Sequence, residues 1–453
     1  MRVHLIAIGG SVMHNMAIAL KEKGYEVSGS DDLIFEPSKS RLKENGLLPE
    51  KEGWNPEIIT EDIDAIILGM HAKADNPELK KAQELGLNIY SYPEYIYENS
   101  KFKHRVVIAG SHGKTTVSSM IVHVLNYWNI DADYLIGAKV KGLKSSFKLT
   151  KEAPILIVEG DEYLSSALDP NPKFIHYHQH IGVVTGIAWD HINVYPEYDG
   201  YVHQFKRFIE STPKGGVILY DETDKELCDQ IEKSEVYFDV EKIPYNQAKH
   251  KIKNGTTELT FGKGKTAIKV FGEHNLKNIE VARHVCERLG VKEDRFKEAI
   301  ASFEGAHMRM QHLHSSDSTR VYRDFAHAPS KVKATVEAFD NQFPEDTFAL
   351  LELHTYSSLN KDFLSEYKGA LGNVKEAVVF FNPDIIANKG LKEITKEDVA
   401  NAFDHSNLKV ITNSDELKEH LNQVNWNAKN LLIMTSGNLG NIDLEELAKD
   451  IAK

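Results

Sequence analysis

Val106-Val107-Ile108-Ala109-Gly110-Ser111-His112-Gly113-Lys114-Thr115-Thr116 is the stretch whose reading decides the fold class. Four apolar residues read as a buried strand, two glycines bracket a tight turn, and Lys-Thr-Thr opens a helix predicted over 117–125. Backbone N–H groups at such a turn and helix start can wrap phosphate oxygens. A lysine then neutralises the outer charges, and the hydroxyl at Thr115 faces a divalent ion. The spacing Gly-x-x-Gly-Lys-Thr is shorter than the usual Gly-x-x-x-x-Gly-Lys-Thr, with Ile108 where a glycine is missing. The plain alternative is a chance Gly-Lys-Thr at a helix start. Strand, loop and helix in the required order weigh against it.

On the N-terminal side, short apolar runs alternate with amphipathic stretches. Strands are predicted at 4–8, 26–30, 65–70 and 88–90, with helices at 13–23 and 80–85, which implies a parallel sheet covered on both faces. A basic, polar hinge, Asn99-Ser100-Lys101-Phe102-Lys103-His104-Arg105, marks a domain boundary before the strand at Val106. Beyond the loop, strands at 155–158 and 181–185 and a helix at 278–289 form a second block. A third begins near Val321, with strands at 347–353, 376–381 and 431–435. There is no internal repeat and no low-complexity segment.

Composition narrows the class. At 453 residues, the chain exceeds what one hydrophobic core organises, so two or three domains are expected. The net charge of −13 comes with no long basic run, which argues against nucleic-acid backbones as partners. Cys228 and Cys286 have neither disulfide nor metal-ligand spacing, as in a reducing compartment. The apolar run at the N-terminus is too short for a signal peptide, and no stretch approaches the ~20 apolar residues of a membrane span. A cytoplasmic protein without membrane contact is expected.

Three further segments carry candidate chemistry. Val158-Glu159-Gly160-Asp161-Glu162-Tyr163 and Thr185-Gly186-Ile187-Ala188-Trp189-Asp190-His191 each follow a predicted strand. Ligands collect beyond the carboxyl ends of parallel strands, so Glu159 and His191 are expected to converge on a divalent ion with Thr115. A solvated acidic loop and a structural histidine are the bland readings, and each would win if its motif stood alone. Phe271-Gly272-Glu273-His274-Asn275-Leu276-Lys277-Asn278 reads as a polar turn or helix cap. Arg309, then Tyr322-Arg323-Asp324-Phe325-Ala326-His327-Ala328-Pro329, reads only as an extended segment with a proline turn.

In this order the motifs resemble those of the Mur ligases, and the resemblance covers essentially the whole chain. It implies an α/β fold in three domains: a Rossmann-like UDP-sugar domain over 1–103, a central P-loop ATPase domain with a mainly parallel sheet over 104–313, and a Rossmann-like amine-binding domain over 314–453. It implies ATP binding by Gly110, Ser111, His112, Gly113, Lys114, Thr115 and Thr116. His274 and Asn275 match the adenine loop, Asp324 the ribose aspartate, and Arg309 the arginine that reaches the γ-phosphate. Thr115, Glu159 and His191 match the Mg²⁺ ligands, and Lys114, Glu159, His191 and Arg309 are the expected catalytic set. Gly9, Gly10, Ser11, Ser30 and Asp31 match the UDP-sugar turn.

Val27-Ser28-Gly29-Ser30-Asp31 is similar to two branches that use UDP-N-acetylmuramate. One adds L-alanine. The other reattaches the recycled tripeptide L-Ala-γ-D-Glu-meso-diaminopimelate. Phe35-Glu36-Pro37-Ser38-Lys39-Ser40, Glu159–Tyr163, Lys173-Phe174-Ile175-His176-Tyr177 and the long separation of Glu159 from His191 resemble the recycling branch, which is the expected activity. Free L-alanine is the alternative amine. Folylpolyglutamate- or cyanophycin-type ligation is disfavoured by the UDP-sugar module, and a degenerate nucleotide-binding regulator by the complete set of motif residues. Departures stand at Ala7 and Val12, Gly186 and Ala188, Met308, and Glu352-Leu353-His354-Thr355-Tyr356-Ser357, where the recycling branch carries an arginine. Lys361 is a candidate for the missing charge. Lys206 stands where some family members carry a carbamylated lysine, although a solvated helix lysine is the simpler reading.

Overall fold

The alternation at the N-terminus closes into a four-stranded parallel sheet in the order Glu26–Ser30, Arg2–Ile6, Ala65–Leu68, Ile89–Ser91. The structure, a computed structural model, describes residues 1–137, 140, 142–189, 194–253, 256–305, 309–372 and 374–453. The first strand ends two residues before the predicted limit. Ala7 adopts a φ of 68°, and the N–H groups of Ala7 and Ile8 both turn onto the Ser30 carbonyl. Ala7 thus occupies the left-handed turn conformation that a glycine would take without strain.

The architecture is α/β, built on three mainly parallel sheets and one small antiparallel sheet. By internal contacts the chain forms two units, Met1–Ile187 with Glu197–Asn246, and Ala188–Pro196 with Gln247–Lys453. The first unit holds the N-terminal sheet and a seven-stranded sheet. The latter runs Glu241–Tyr245, Val217–Asp221, Ile181–Val184, His104–Ala109, Ile155–Glu159, Asp133–Leu135, Phe147–Lys148. Only its last edge strand is antiparallel. The second unit holds a three-stranded antiparallel sheet, 250–268, and a six-stranded sheet. In that sheet the antiparallel strand Gln311–Ser315 flanks a parallel set in the order Arg320–Asp324, Lys429–Met434, Asp346–Leu353, Glu376–Phe381, Leu408–Ile411. Strand Asp346–Leu353 alternates as a doubly covered strand should. Phe348 and Leu350 join one core, while Ala349, Leu351 and Leu353 join the other. No helix among the described residues is long and apolar enough to cross a membrane.

The basic hinge at 99–105 is not a solvated linker. Lys103 is buried against Asp133 at 2.7 Å, and it donates to the carbonyls of Thr150 and Ala153. Arg105 is buried as well and donates to the carbonyls of Ser100, Lys103, Tyr177 and His178. These charges anchor the first strand of the central sheet because carbonyls and a carboxylate replace the water they lose.

A second polar group sits inside the N-terminal sheet. Glu78 is fully buried; it accepts from Ser30 Oγ and from the Asn55 N–H, both at 2.6 Å, and lies 3.3 Å from His4 Nε2. Glu78→Ala would leave these donors without acceptors. We expect it to cost about 2–4 kcal/mol, read as a lowered urea midpoint; an unchanged midpoint would contradict this network.

Candidate functional site

Parallel register places the site. Ile108 pairs with Glu159 and Ala109 with Val184, so the chain leaves three adjacent strands at one level. Gly110 takes a φ of 121°, and an added Cβ would stand 2.7 Å from the Thr185 backbone nitrogen. Only glycine fits there. The contact is reinforced by the Thr185 N–H on Ala109 O at 3.0 Å and by the Ser111 N–H on Gly186 O at 3.0 Å. Gly186, one of the departures from the family pattern, itself has a φ of 135° and lies against Asp224. The Thr185 hydroxyl donates to the His112 carbonyl, so the loop is closed over a neighbouring strand end.

Helix Lys114–Tyr127 starts directly behind Gly113, which points its free N–H groups and positive end toward the loop. Lys114 Nζ donates to Gly110 O at 2.5 Å and to Glu162 Oε2 at 2.9 Å. Burial works against its charge, but Glu162, Asp161 and Glu159 outweigh burial and hold the ammonium above its ordinary pKa. Thr115 Oγ1 donates to Glu159 Oε2 at 3.1 Å, and Glu159 Oε1 accepts from the Gly137 N–H at 2.6 Å. Thr115 and Glu159 are therefore neighbours, as expected. His191 lies outside the described residues.

In the N-terminal sheet Asp31 ties the turn: its Oδ2 accepts from the Gly9 N–H at 2.7 Å and its Oδ1 from the Asp32 N–H at 3.0 Å. Burial pushes its pKa up to about 6 against the Gly9 hydrogen bond. Gly10 and Ser11 lead into helix Ser11–Glu22. The Ser30 hydroxyl points inward to Glu78 and His4, so it is spoken for by the core.

In the second unit, helix Glu273–Arg288 begins five residues before the predicted start, placing His274 and Asn275 in its first turn. Asn275 Nδ2 donates to Phe271 O at 2.8 Å. Burial lowers the His274 pKa, with Asp324 and Glu273 opposing. Asp324 Oδ2 accepts from the Met310 N–H at 2.6 Å and Oδ1 from the Ala326 N–H at 2.8 Å. The Arg309 guanidinium lies 4.6 Å from the Phe325 ring centroid. Lys361 is paired with Asp398 at 2.9 Å. Lys206 pairs with Glu210 along its helix at 3.7 Å, as an ordinary helix-surface lysine does. Met308 is outside the described residues.

Residues 2–104 match the Mur ligase family catalytic domain and residues 108–286 the Mur ligase middle domain. A UDP-N-acetylmuramate–L-alanine ligase of Caldicellulosiruptor bescii is 30% identical over 388 residues, which is 83% of this chain and 82% of the relative. The chain belongs to the Mur ligase family. Like other Mur ligases it is an ATP-dependent enzyme that forms amide bonds, not a nucleotide-binding regulator. Among solved structures, the UDP-N-acetylmuramate–alanine ligase of Thermotoga maritima superposes with a TM-score of 0.69 at 19% identity, covering 97% of this chain and 96% of that one. The UDP-N-acetylmuramate:L-alanyl-γ-D-glutamyl-meso-diaminopimelate ligase of Neisseria meningitidis gives 0.59 at 26% identity, covering 67% and 98%.

Glu162 follows a strand-end motif whose spacing assigns it no role, and Tyr201 and Gly137 carry no signature in the sequence. Tyr201 comes from helix Tyr198–Glu210, far along the chain, and carries no local signature. Gly110→Ala tests the geometry directly. We expect a loss of at least about 2 kcal/mol of stability together with loss of ATP turnover. An equally stable, active variant would contradict the close approach to Thr185.

Proposed function

We propose that this Mur ligase joins the lactyl carboxylate of UDP-N-acetylmuramate to the α-amine of L-alanine. A carboxylate is a poor electrophile, so it first takes the γ-phosphoryl group of ATP and becomes an acyl phosphate, releasing ADP. The unprotonated amine then attacks the acyl carbon, an amide forms and inorganic phosphate leaves. The observation that carries the reading is the phosphate loop. Lys114, Thr115 and Glu159 share one neighbourhood at the carboxyl end of the central sheet, in a chain whose sequence relatives are named as L-alanine ligases.

In this reading residues 1–103 bind the UDP-sugar, 104–313 the ATP and 314–453 the amine. Gly9, Gly10, Ser11 and Asp31 shape the diphosphate turn, and Ser30 supports it. Gly110–Thr116 hold the phosphates, His274 and Asn275 the adenine, Asp324 the ribose, and Arg309 the γ-phosphate. Thr115 and Glu159, with His191, would hold Mg²⁺. A hydroxyl beside a carboxylate suits a hard cation that keeps several of its waters. When bound, the ion neutralises charge on the phosphate oxygens. Lys114 brings an ammonium to the same task.

The second reading takes the L-alanyl amine of the tripeptide L-Ala-γ-D-Glu-meso-diaminopimelate, in peptidoglycan recycling. It is favoured by Glu159–Tyr163 and Lys173–Tyr177 and by the 26% identity to the Neisseria enzyme. The two amines present the same nucleophile and differ in the charged tail behind it, whose binding energy would orient the tripeptide. Phosphate release should require UDP-N-acetylmuramate, an amine and Mg²⁺ together. With L-alanine and tripeptide at equal concentration, UDP-N-acetylmuramoyl-L-alanine should dominate the products by mass. Dominance of the tripeptide product would replace the first reading by the second, and phosphate release that ignores the sugar would overturn both.

A further inference from the structure

The Lys114 ammonium has a buried counter-ion that the phosphate-loop pattern does not include. Glu162 lies on the loop that leaves strand Ile155–Glu159 and is fully buried. Its Oε2 accepts from Lys114 Nζ at 2.9 Å, and its Oε1 from the Tyr201 hydroxyl at 3.3 Å. Tyr201, also fully buried, has its hydroxyl 2.9 Å from Ser111 Oγ. With its one proton given to Glu162, the tyrosine oxygen accepts from the serine. Residues of the loop, the next strand end and helix Tyr198–Glu210 are thereby joined in one chain: Ser111 to Tyr201 to Glu162 to Lys114.

An ammonium has three N–H donors. Gly110 O takes one and Glu162 another, which leaves one for a ligand. Were the lysine to swing away toward a phosphate, the buried Glu162 carboxylate would lose its ion pair with Lys114. Breaking such a pair is far more costly than the pair's own net worth. The lysine must therefore meet a phosphate from the place where it already stands. Glu162 also offsets part of its charge toward a ligand bound in the ground state. A fixed, oriented donor acts where charge develops during transfer.

We propose that Glu162, braced by Tyr201, is a positioning residue for phosphoryl transfer: it pins the Lys114 ammonium so that the remaining N–H serves the transferring group, while the backbone loop carries ATP affinity. The inference rests on the ATP reading given above, and goes beyond it in giving Glu162 and Tyr201 a role in the rate rather than in binding.

The test is steady-state kinetics of full-length Glu162→Gln, Tyr201→Phe and Lys114→Ala with ATP, UDP-N-acetylmuramate and the amine that the wild type uses. Glu162→Gln keeps the shape and removes the charge. We expect kcat to fall about 10- to 100-fold with a KM for ATP that is unchanged or lower, because the lysine charge is unmasked but no longer held. Tyr201→Phe removes one hydroxyl, and kcat should fall about 3- to 10-fold at unchanged KM. This variant decides the matter should Glu162→Gln fail to fold. A KM for ATP that rises, whatever kcat does, or a kcat that stays at the wild-type value, overturns the proposal. Inactive Lys114→Ala beside wild-type kinetics in the other two would remove the role of Glu162 and leave the ATP reading intact. Active Lys114→Ala would remove the phosphate-loop reading itself.

Discussion

Strand His104–Ala109 lies between Ile155–Glu159 and Ile181–Val184 in parallel register, and the chemistry at the loop depends on that placement. Parallel strands deliver their carboxyl ends to one edge, where connecting loops begin and ligands collect. The outgoing loop at Gly110 must then pass within van der Waals distance of the Thr185 backbone. Because no side chain intervenes, the Ser111 N–H and the Thr185 hydroxyl can lock the loop to its neighbour. The helix start and the threonine inherit their positions from this lock.

The same device recurs at the other sheets. Asp31 stands just past strand Glu26–Ser30 and receives the N–H groups of Gly9 and Asp32. Asp324 closes strand Arg320–Asp324 and receives those of Met310 and Ala326. Glu159 closes its strand and receives the Gly137 N–H. Each carboxylate satisfies backbone donors that a loop leaves orphaned, through charge-assisted bonds stronger than neutral ones. The carboxylates that the family pattern gives to ligands are therefore also the ties that hold the loops at these strand ends. A substitution at any of them changes loop geometry as well as contacts.

Buried charge is the second theme. Lys103 with Asp133, and Glu78 with His4 and Ser30, are removed from water, and Glu162 is buried beneath a partly exposed Lys114. Glu352 occupies a core-facing position of strand Asp346–Leu353, where alternation calls for an apolar residue. It is satisfied by the Thr435 hydroxyl and the Leu439 N–H. Such groups weaken a core unless every donor and acceptor is met. Here each one joins strand ends to loops, where an apolar residue would pack and leave the loop backbone without partners.

The α/β class and the order of strands and helices were legible in the sequence, because apolar runs and amphipathic helices have distinct periods. The strand, glycine turn and helix around Lys114 were legible too. Strand, glycines and lysine are contiguous, and a local signature needs no knowledge of the fold. Thr115 opens the helix behind one strand of the sheet and Glu159 ends the neighbouring strand, so the two come together at one edge. Other features were hidden because they depend on partners distant in the chain. The hinge lysine and arginine at 103 and 105 look solvated until Asp133, Tyr177 and His178 are brought to them. The first helical turn at His274 and Asn275 looks like a loop until Asn275 caps the Phe271 carbonyl. Glu162 and Tyr201 belong to the loop only after helix Tyr198–Glu210 packs beside it. Sequence by itself determined where a strand, a glycine turn and a helix start follow one another, since that is written in consecutive residues. Tertiary structure alone decided what holds the lysine, because its ammonium is held by a carboxylate that only the packing delivers.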